Sequence, residues 1–400
     1  MARLLFLVHR LPYPPNKGDK VRSFHLLKHL ARKHEVFLGA FVDDPEDEAY
    51  VDTVRGYCAD LYIARLTPRL AKLRSLQGLL RGEPLSLPYY RDDGLLRWVE
   101  ATLAARHCEA GVVFSSVMAE YIADWQALPT LVDFVDMDSA KWTQYAGTHS
   151  WPMSWLYRRE GRRLCSYERA VASKARHSFF VTPAECELFL AAAPESRGRV
   201  DALGNGVDAD FFAPEPARAN PYPAGETALV FTGAMDYWPN IDAAVWFAGE
   251  VLPALRQRYP QARFYIVGRN PDPAVLALAG PATVVTGTVA DVRPYLAHAA
   301  IVVAPLRIAR GIQNKVLEAM AMARPVVAST ACAGAIAARE GVALLTAGSA
   351  SDYVEQIGSL LEDPVRATTQ GRAAREHVLE HFSWEAQLAL IDRHLEGLTG

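Results

Sequence analysis

Short runs of consecutive apolar residues alternate along the whole chain with stretches in which apolar positions recur every three or four residues. Runs at 4–8, 35–41, 61–64, 110–114, 130–134 and 178–181 read as buried strands. Between the first two, Val21, Phe24, Leu27 and Leu30 keep helical spacing over 20–34. The second half repeats the scheme, with strands at 228–232, 263–267, 283–285, 301–304, 325–328 and 343–345. Helical patterns there cover 240–258, 291–298, 313–322 and 350–361. Strand–helix alternation in both halves predicts an α/β protein built from two doubly wound parallel sheets.

Both periods lapse after Leu203-Gly-Asn-Gly206, where Pro214, Pro216, Pro221 and Pro223 crowd together. Such punctuation marks a linker. The expected division is 1–205 and 206–382, followed by a final helix at 383–400 that begins on the N-cap candidate Ser383. Composition agrees with this picture: 400 residues are 50% hydrophobic and 22% charged, which suits globular domains and excludes a disordered or collagen-like chain. The net charge of -3 is divided unevenly, since residues 1–200 carry 27 Lys and Arg against 24 Asp and Glu and the remainder 15 against 21. Neither half is basic enough for a nucleic-acid binder. Five scattered cysteines, with no CxxC, read as reduced thiols without a disulfide framework or zinc site. No run approaches 18 apolar residues, and the expected location is cytoplasmic.

Two segments of the first half stand apart. Positions 65–81 read as one basic amphipathic helix, with Arg65, Arg69, Lys72, Arg74 and Arg81 and no acid. Positions 151–163 interleave Trp151, Trp155 and Tyr157 with four arginines. Either could meet an anionic membrane surface, where apolar and cationic groups act together. Each could equally be an ordinary surface helix with its leucines or tryptophans turned to the core.

The densest chemistry lies at 301–329. A strand ends near Pro305, a loop carries Arg307, Arg310 and Gly311, and a helix opens near Gln313 and Asn314. In open α/β sheets, ligands bind beyond the carboxyl ends of strands, where helix N-termini present free N–H groups to anions. Gly311 lets the backbone approach a phosphate, and Lys315 in the first turn meets its charge. Glu318, three residues on, shares a helix face with Lys315 and can accept hydrogen bonds from ribose hydroxyls. An exposed Lys–Glu pair beside a core face of Val316, Leu317 and Met320 is the plain alternative.

The segment GIQNKVLEAMAMARPVVAS at 311–329 resembles the nucleotide-sugar site of family 4 glycosyltransferases of the GT-B fold. Further pieces fall in the matching order: Asn205-Gly-Val-Asp208, Phe231-Thr-Gly-Ala-Met-Asp236, Phe264-Tyr-Ile-Val-Gly268, Val285-Thr-Gly-Thr-Val289 and Phe382-Ser-Trp384. In the first half, the stretches at 9–20 and 132–142 resemble a subgroup associated with exosortase (PEP-CTERM) exopolysaccharide gene clusters. The resemblance implies two Rossmann-like domains facing a cleft, with the last helix crossing back to the first domain. It also implies a retaining, metal-independent transfer of a sugar from a UDP- or GDP-linked donor, needing no cofactor, to a lipid-linked or growing polysaccharide acceptor. The protein would then sit at the inner face of the cytoplasmic membrane.

Carried onto this chain, the resemblance places the donor nucleotide and its phosphates on Gly18, Gly233, Arg307, Arg310, Gly311, Gln313, Asn314, Lys315 and Glu318. Lys17 and Lys20 would add positive charge beside Gly18. Asp136 matches a position that faces the acceptor hydroxyl or donor sugar, with His9 beside the same chemistry; helix capping by Asp136 or Asp138 and a structural role for His9 are the alternatives. Asp133, Asp136 and Asp138 could also group around a metal, although no His or Glu lies near in sequence. One departure is clear. The family's E-x7-E pair has its second glutamate at Glu318, but Arg310 occupies the first position and suits a phosphate or a sugar carboxylate instead. That departure keeps a non-catalytic assembly subunit open, and a sugar-nucleotide 2-epimerase shares the architecture. The lack of a G-x-G-x-x-G after an early strand argues against a dehydrogenase.

Overall fold

In the computed structural model, residues 1–400 are described apart from 16–17, 216, 309–311, 337–340 and 399–400. The chain divides into two compact units, Met1–Asn205 with Gln387–Gly400, and Gly206–Ala386.

The first unit holds strands β1 (Arg3–Val8), β2 (Glu35–Val42), β3 (Asp60–Arg65), β4 (Ala110–Phe114), β5 (Thr130–Val135), β6 (His177–Phe180) and β7 (Val200–Ala202). They form one parallel sheet in the order β3-β2-β1-β4-β5-β6-β7. Strands covered by helices on both faces read as unbroken apolar runs rather than alternations, which is why β1 (RLLFLV) and β4 (AGVVF) are buried almost throughout. β7 escaped the sequence reading because Val200, Asp201 and Ala202 are half-buried or exposed at the sheet edge.

The second unit repeats the winding with β8 (Thr227–Thr232), β9 (Ala262–Val267), β10 (Thr283–Gly287), β11 (Ile301–Ala304), β12 (Val326–Ser329) and β13 (Leu345–Ala347). Their order is β10-β9-β8-β11-β12-β13, again parallel. Each sheet winds outward from its first strand in both directions, the Rossmann-like arrangement expected from the sequence. The helix expected at 240–258 is broken into Trp238–Trp246 and Leu252–Arg258 by a π-helical turn at Phe247–Val251. Pro253, which has no N–H to donate, stands just beyond that turn.

The basic segment at 65–81 is not one helix. Arg65 ends β3, Pro68 opens a helix at Pro68–Ser75, and a second helix covers Gln77–Arg81. Proline at the first helical position is preorganised for a start, and it cuts the segment from the strand. Residues 153–163 belong to the long helix Met153–Lys174. Among the described residues, no helix is long and apolar enough to cross a membrane.

Two buried ion pairs hold the helix Gly18–Ala31, one to the first sheet and one to the turn Pro45–Tyr50. Arg22 forks onto Asp133 of β5, with Nε and Nη2 donating at 2.7 and 3.0 Å, and its Nη1 reaches Asn205 at 3.1 Å. Lys20 donates to Asp47 at 2.8 Å. The last helix, Trp384–Glu396, adds Leu388, Ile391 and Leu395 to buried positions. Its Asp392 takes hydrogen bonds from His29 at 2.9 Å and Lys33 at 2.6 Å, which hold the carboxyl below its usual range against the opposing effect of burial. His394 stacks on His177 with ring centroids 3.9 Å apart, both beside Asp201.

Removing one partner of a buried ion pair strands the other charge, at a cost of about 3–5 kcal/mol. Asp133→Ala is therefore expected to lower unfolding free energy by about that amount in urea titrations, whereas Arg22→Met/Asp133→Leu loses markedly less. Equal losses in the single and double variants would show that the pair itself, not the stranded charge, carries the stability.

Candidate functional site

A cavity of about 420 Å3 opens in the second unit beyond the carboxyl ends of β8 and β9. Thr232, Gly233 and Ala234 line one wall and Val267, Gly268 and Arg269 another. Asn314, Lys315 and Glu318 enter from the helix Asn314–Ala321, and Thr288, Val289 and Val292 complete the lining. Gln313 is the N-cap of that helix, with extended backbone, and its carbonyl takes the amide of Val316.

Two glycines make this geometry possible. A Cβ on Gly268 would lie 1.6 Å from the Gly233 carbonyl oxygen, so the loops after β8 and β9 meet backbone to backbone. A Cβ on Gly233 would lie 2.9 Å from Asn240 Nδ2 and 3.0 Å from Lys315 Nζ. The lysine thus reaches bare peptide, as a phosphate-cradling loop requires.

Among the described residues, Lys315 has no carboxylate in hydrogen-bond contact. Its ammonium donates to the Asn240 side-chain carbonyl, whose own amide donates to the Ala234 carbonyl at 2.8 Å. The charge also stands 4.7 Å over the Phe231 ring. Burial pushes the Lys315 ammonium down to about 8, partly opposed by Cys332 and Glu318. Burial pushes Glu318 up to about 7, with Lys315 opposing. Each group is under-compensated and placed to gain from a ligand carrying phosphate charge and hydroxyls.

Of the residues expected to hold a donor, Gly233, Asn314, Lys315 and Glu318 come together in this one cavity, with Gln313 immediately before them. Arg307 does not line it. Its guanidinium is forked onto Asp242, with Nε at 2.9 Å, and half-exposed. Arg310 and Gly311 lie outside the described residues, as does Lys17. The sequence reading missed Gly268, Arg269 and Thr288 as lining residues. A signal for Gly268 existed: it directly follows a buried strand, as Gly233 does after β8.

In the first unit, polar side chains gather at the carboxyl ends of β1 and β2. His9 lies parallel to the Phe114 ring at 5.8 Å and brings Nε2 to 3.4 Å from Asp19, while its buried Nδ1 has no hydrogen-bond partner among the described residues. Arg10 bonds Asp19 at 2.6 Å and forks onto Asp43. Burial opposes ionisation of Asp19, but His9 and Arg10 outweigh it and hold the carboxyl well below the usual range. Gly18 opens the helix Gly18–Ala31 and is exposed, with nothing within 4 Å of an added Cβ, so crowding does not require glycine there. Lys20, expected to add charge to a phosphate site, is instead buried on Asp47.

The three acids in and just after β5 are divided rather than grouped. Asp133 is committed to Arg22, while Asp136 and Asp138 share Lys141 at 2.8 and 3.0 Å. Next to Asp136, Val135 has φ 67°, a left-handed conformation that is costly for a β-branched residue. The ladder to β6 shifts register there, and the Val135 amide donates to Asp133 Oδ1 at 3.1 Å.

Residues 226–363 match the family described as glycosyl transferases group 1. No curated protein matches the sequence. Among solved structures, sucrose-phosphate synthase from Thermosynechococcus elongatus aligns with TM-score 0.65 and 18% identity, covering 100% of this chain and 99% of the other. HepE of Anabaena in complex with UDP aligns with TM-score 0.66 and 16% identity over 100% of both chains. WaaG, a glycosyltransferase of lipopolysaccharide biosynthesis, aligns with TM-score 0.60 and 15% identity over 99% of this chain and 100% of its own. The chain has the GT-B fold, and its second unit is a glycosyltransferase domain.

Because Gly268 has no space for a side chain, Gly268→Ala is expected to separate the two loops and destabilise the protein by at least about 1–3 kcal/mol. Thermal unfolding should show the loss, and an unchanged midpoint would mean that the loops are not locked together.

Proposed function

We propose that the protein is a retaining glycosyltransferase that moves a sugar from a UDP- or GDP-linked donor to a lipid-linked or growing exopolysaccharide acceptor. The observation that carries this reading is the cavity in which Lys315, Glu318 and Asn314 face the Gly233–Gly268 floor. The HepE structures with UDP and with UDP-glucose support the donor class. An exosortase-associated polysaccharide system, suggested by the motifs at 9–20 and 132–142, and a location at the inner face of the cytoplasmic membrane belong to the same proposal.

In this mechanism the bond between the anomeric carbon and the phosphate oxygen breaks as negative charge grows on the departing diphosphate. Lys315 and the N–H groups at the start of the helix Asn314–Ala321 stabilise that charge without reorganising. Glu318 accepts the ribose hydroxyls. The acceptor oxygen bonds to the same face of the carbon that the phosphate leaves, and its proton passes to the departing phosphate oxygen. Configuration is retained without a covalent intermediate. Asp136 and His9 are assigned to the acceptor side, Asp136 as an orienting carboxylate because Lys141 already neutralises it. The proposal includes no metal, since the lysine and helix supply the positive charge; turnover is expected to survive EDTA.

Thermal-shift titration with UDP, GDP, ADP and dTDP identifies the base, and product analysis with the matching sugar nucleotide tests the reaction. Conversion of the donor to its 2-epimer without an acceptor would establish the epimerase instead. Glu318→Ala is expected to weaken nucleotide binding by about 1.5–3 kcal/mol, measured calorimetrically; wild-type affinity would remove Glu318 from the site.

Affinity also has a predicted pH dependence. Below about 7 Glu318 is protonated in the free protein and must ionise to bind, while above about 8 Lys315 must regain a proton. Binding is therefore expected to peak between these values and weaken by up to about tenfold per pH unit beyond either edge. A flat profile across both edges would dissociate the pair from donor binding.

A further inference from the structure

Strand register sets ligating side chains on one face at the edge of the first sheet. In β6, His177 and Phe179 are two residues apart and so share a face. Asp201 of β7 is the register partner of Phe179, which puts its carboxylate on that face as well. The last helix, Trp384–Glu396, delivers His394 onto the His177 ring. Phe179 walls the group on one side, its ring centroid 5.1 Å from that of His177 and 5.4 Å from that of His394. Two strands and a helix from opposite ends of the chain thus bring together two imidazoles and a carboxylate.

The separations suit a small cation. His177 Nε2 stands 3.0 Å and His394 Nε2 3.7 Å from the same atom, Asp201 Oδ2. One ligand atom from each residue lies within 4.8 Å of the other two. Bonds of about 2.0–2.2 Å from nitrogen or oxygen to a tetrahedral zinc ion set ligand atoms about 3.3–3.6 Å apart. The two measured separations bracket that range, and Asp201, exposed at the sheet edge, can adjust to the third. Protonation points the same way. Two imidazolium rings with centroids 3.9 Å apart would repel each other. Burial and the His394 ring lower the basicity of His177, with Asp201 opposing, so the imidazole is neutral near pH 7 and keeps a lone pair for a metal. Imidazole with carboxylate is a donor set of Zn2+ and its borderline-soft neighbours.

We propose that His177, Asp201 and His394 form a binding site for a divalent transition-metal ion of the zinc class, with the fourth position left to water on the exposed side. The ion fastens the last helix to the β6–β7 edge and so joins the two stretches of chain that build the first unit. His177 opens β6 at the amino end of the sheet, whereas His9 and Asp136 follow the carboxyl ends of β1 and β5. The ion is therefore structural and takes no part in sugar transfer. Chelation removes a clip and no reacting group, and the inference does not rest on the proposed reaction.

The test is a calorimetric titration of the full chain with zinc chloride, after chelator treatment and removal of the chelator. One tightly bound ion per chain is expected, and it should raise the thermal midpoint because it binds the folded state. Asp201→Asn and His394→Gln each remove one ligand and are expected to cut affinity by at least about 10–100-fold, the loss typical of a merely supporting partner. Asp201 is exposed, so its variant keeps the test valid should His394→Gln loosen the helix. His377 and His381, with ring centroids 4.7 Å apart on the helix Pro364–His381, are a competing pair. His381→Gln is expected to leave the affinity unchanged. Absence of zinc binding by the wild type at millimolar metal would overturn the proposal. So would equal affinity in the wild type and Asp201→Asn, or loss of binding in His381→Gln instead.

Discussion

A single guanidinium–carboxylate pair, Arg22 with Asp133, organises much of the first domain. It costs desolvation of two charges, and only a bidentate geometry with further hydrogen bonds offsets that cost. The pair ties the first helix to β5 and, through Asn205, to the last residue of the domain's main segment. Asp133 Oδ1 also takes the amide of Val135, which is held in its left-handed conformation where the β5 ladder slips. The backbone that aims Asp136 is therefore set three residues upstream by a charge pair buried from solvent. Local strain at Val135 persists because a buried network over-determines it.

The second domain works by incompletion instead. Where Arg22 and Lys20 are matched by carboxylates, Lys315 is half-buried with a neutral amide and an aromatic face. Its depressed basicity and the raised Glu318 express the same deficit from opposite signs. Pairing them directly would neutralise the cavity. Keeping them on one helix face without a hydrogen bond between them leaves both available to a ligand that is anionic at one end and rich in hydroxyls at the other. The contact between Gly233 and Gly268 supplies the rigid floor against which that preorganisation is effective.

Legibility followed the physics of each feature. Strands buried on both faces, such as β1 and β8, announce themselves as apolar runs, and the helix carrying Lys315 and Glu318 was readable because its apolar positions keep one period. The edge strand β7 has no such signature. Longer-range pairing was also invisible: nothing in the spacing says that Lys20 meets Asp47 or that Arg307 meets Asp242. Those partners come from remote turns or a neighbouring element, so a residue type suited to phosphate binding was read as available when the fold had already committed it. The segment at 65–81 misled in a different way. Its period is helical, but Pro68 divides it from the strand, and periodicity alone does not reveal which face points inward.

The first unit is built from two separate stretches of chain, with the second unit threaded between them. During synthesis, the helix Gly18–Ala31 and strands β6 and β7 are made long before Leu388, Ile391 and Leu395 exist to pack in the unit. Until then, His29 and Lys33 lack Asp392, and His177 lacks the ring of His394. The nascent first unit must hold an unfinished apolar seat while the entire second unit emerges. Completion of the first domain is thereby made to wait on the second, and the order of translation becomes an order of assembly.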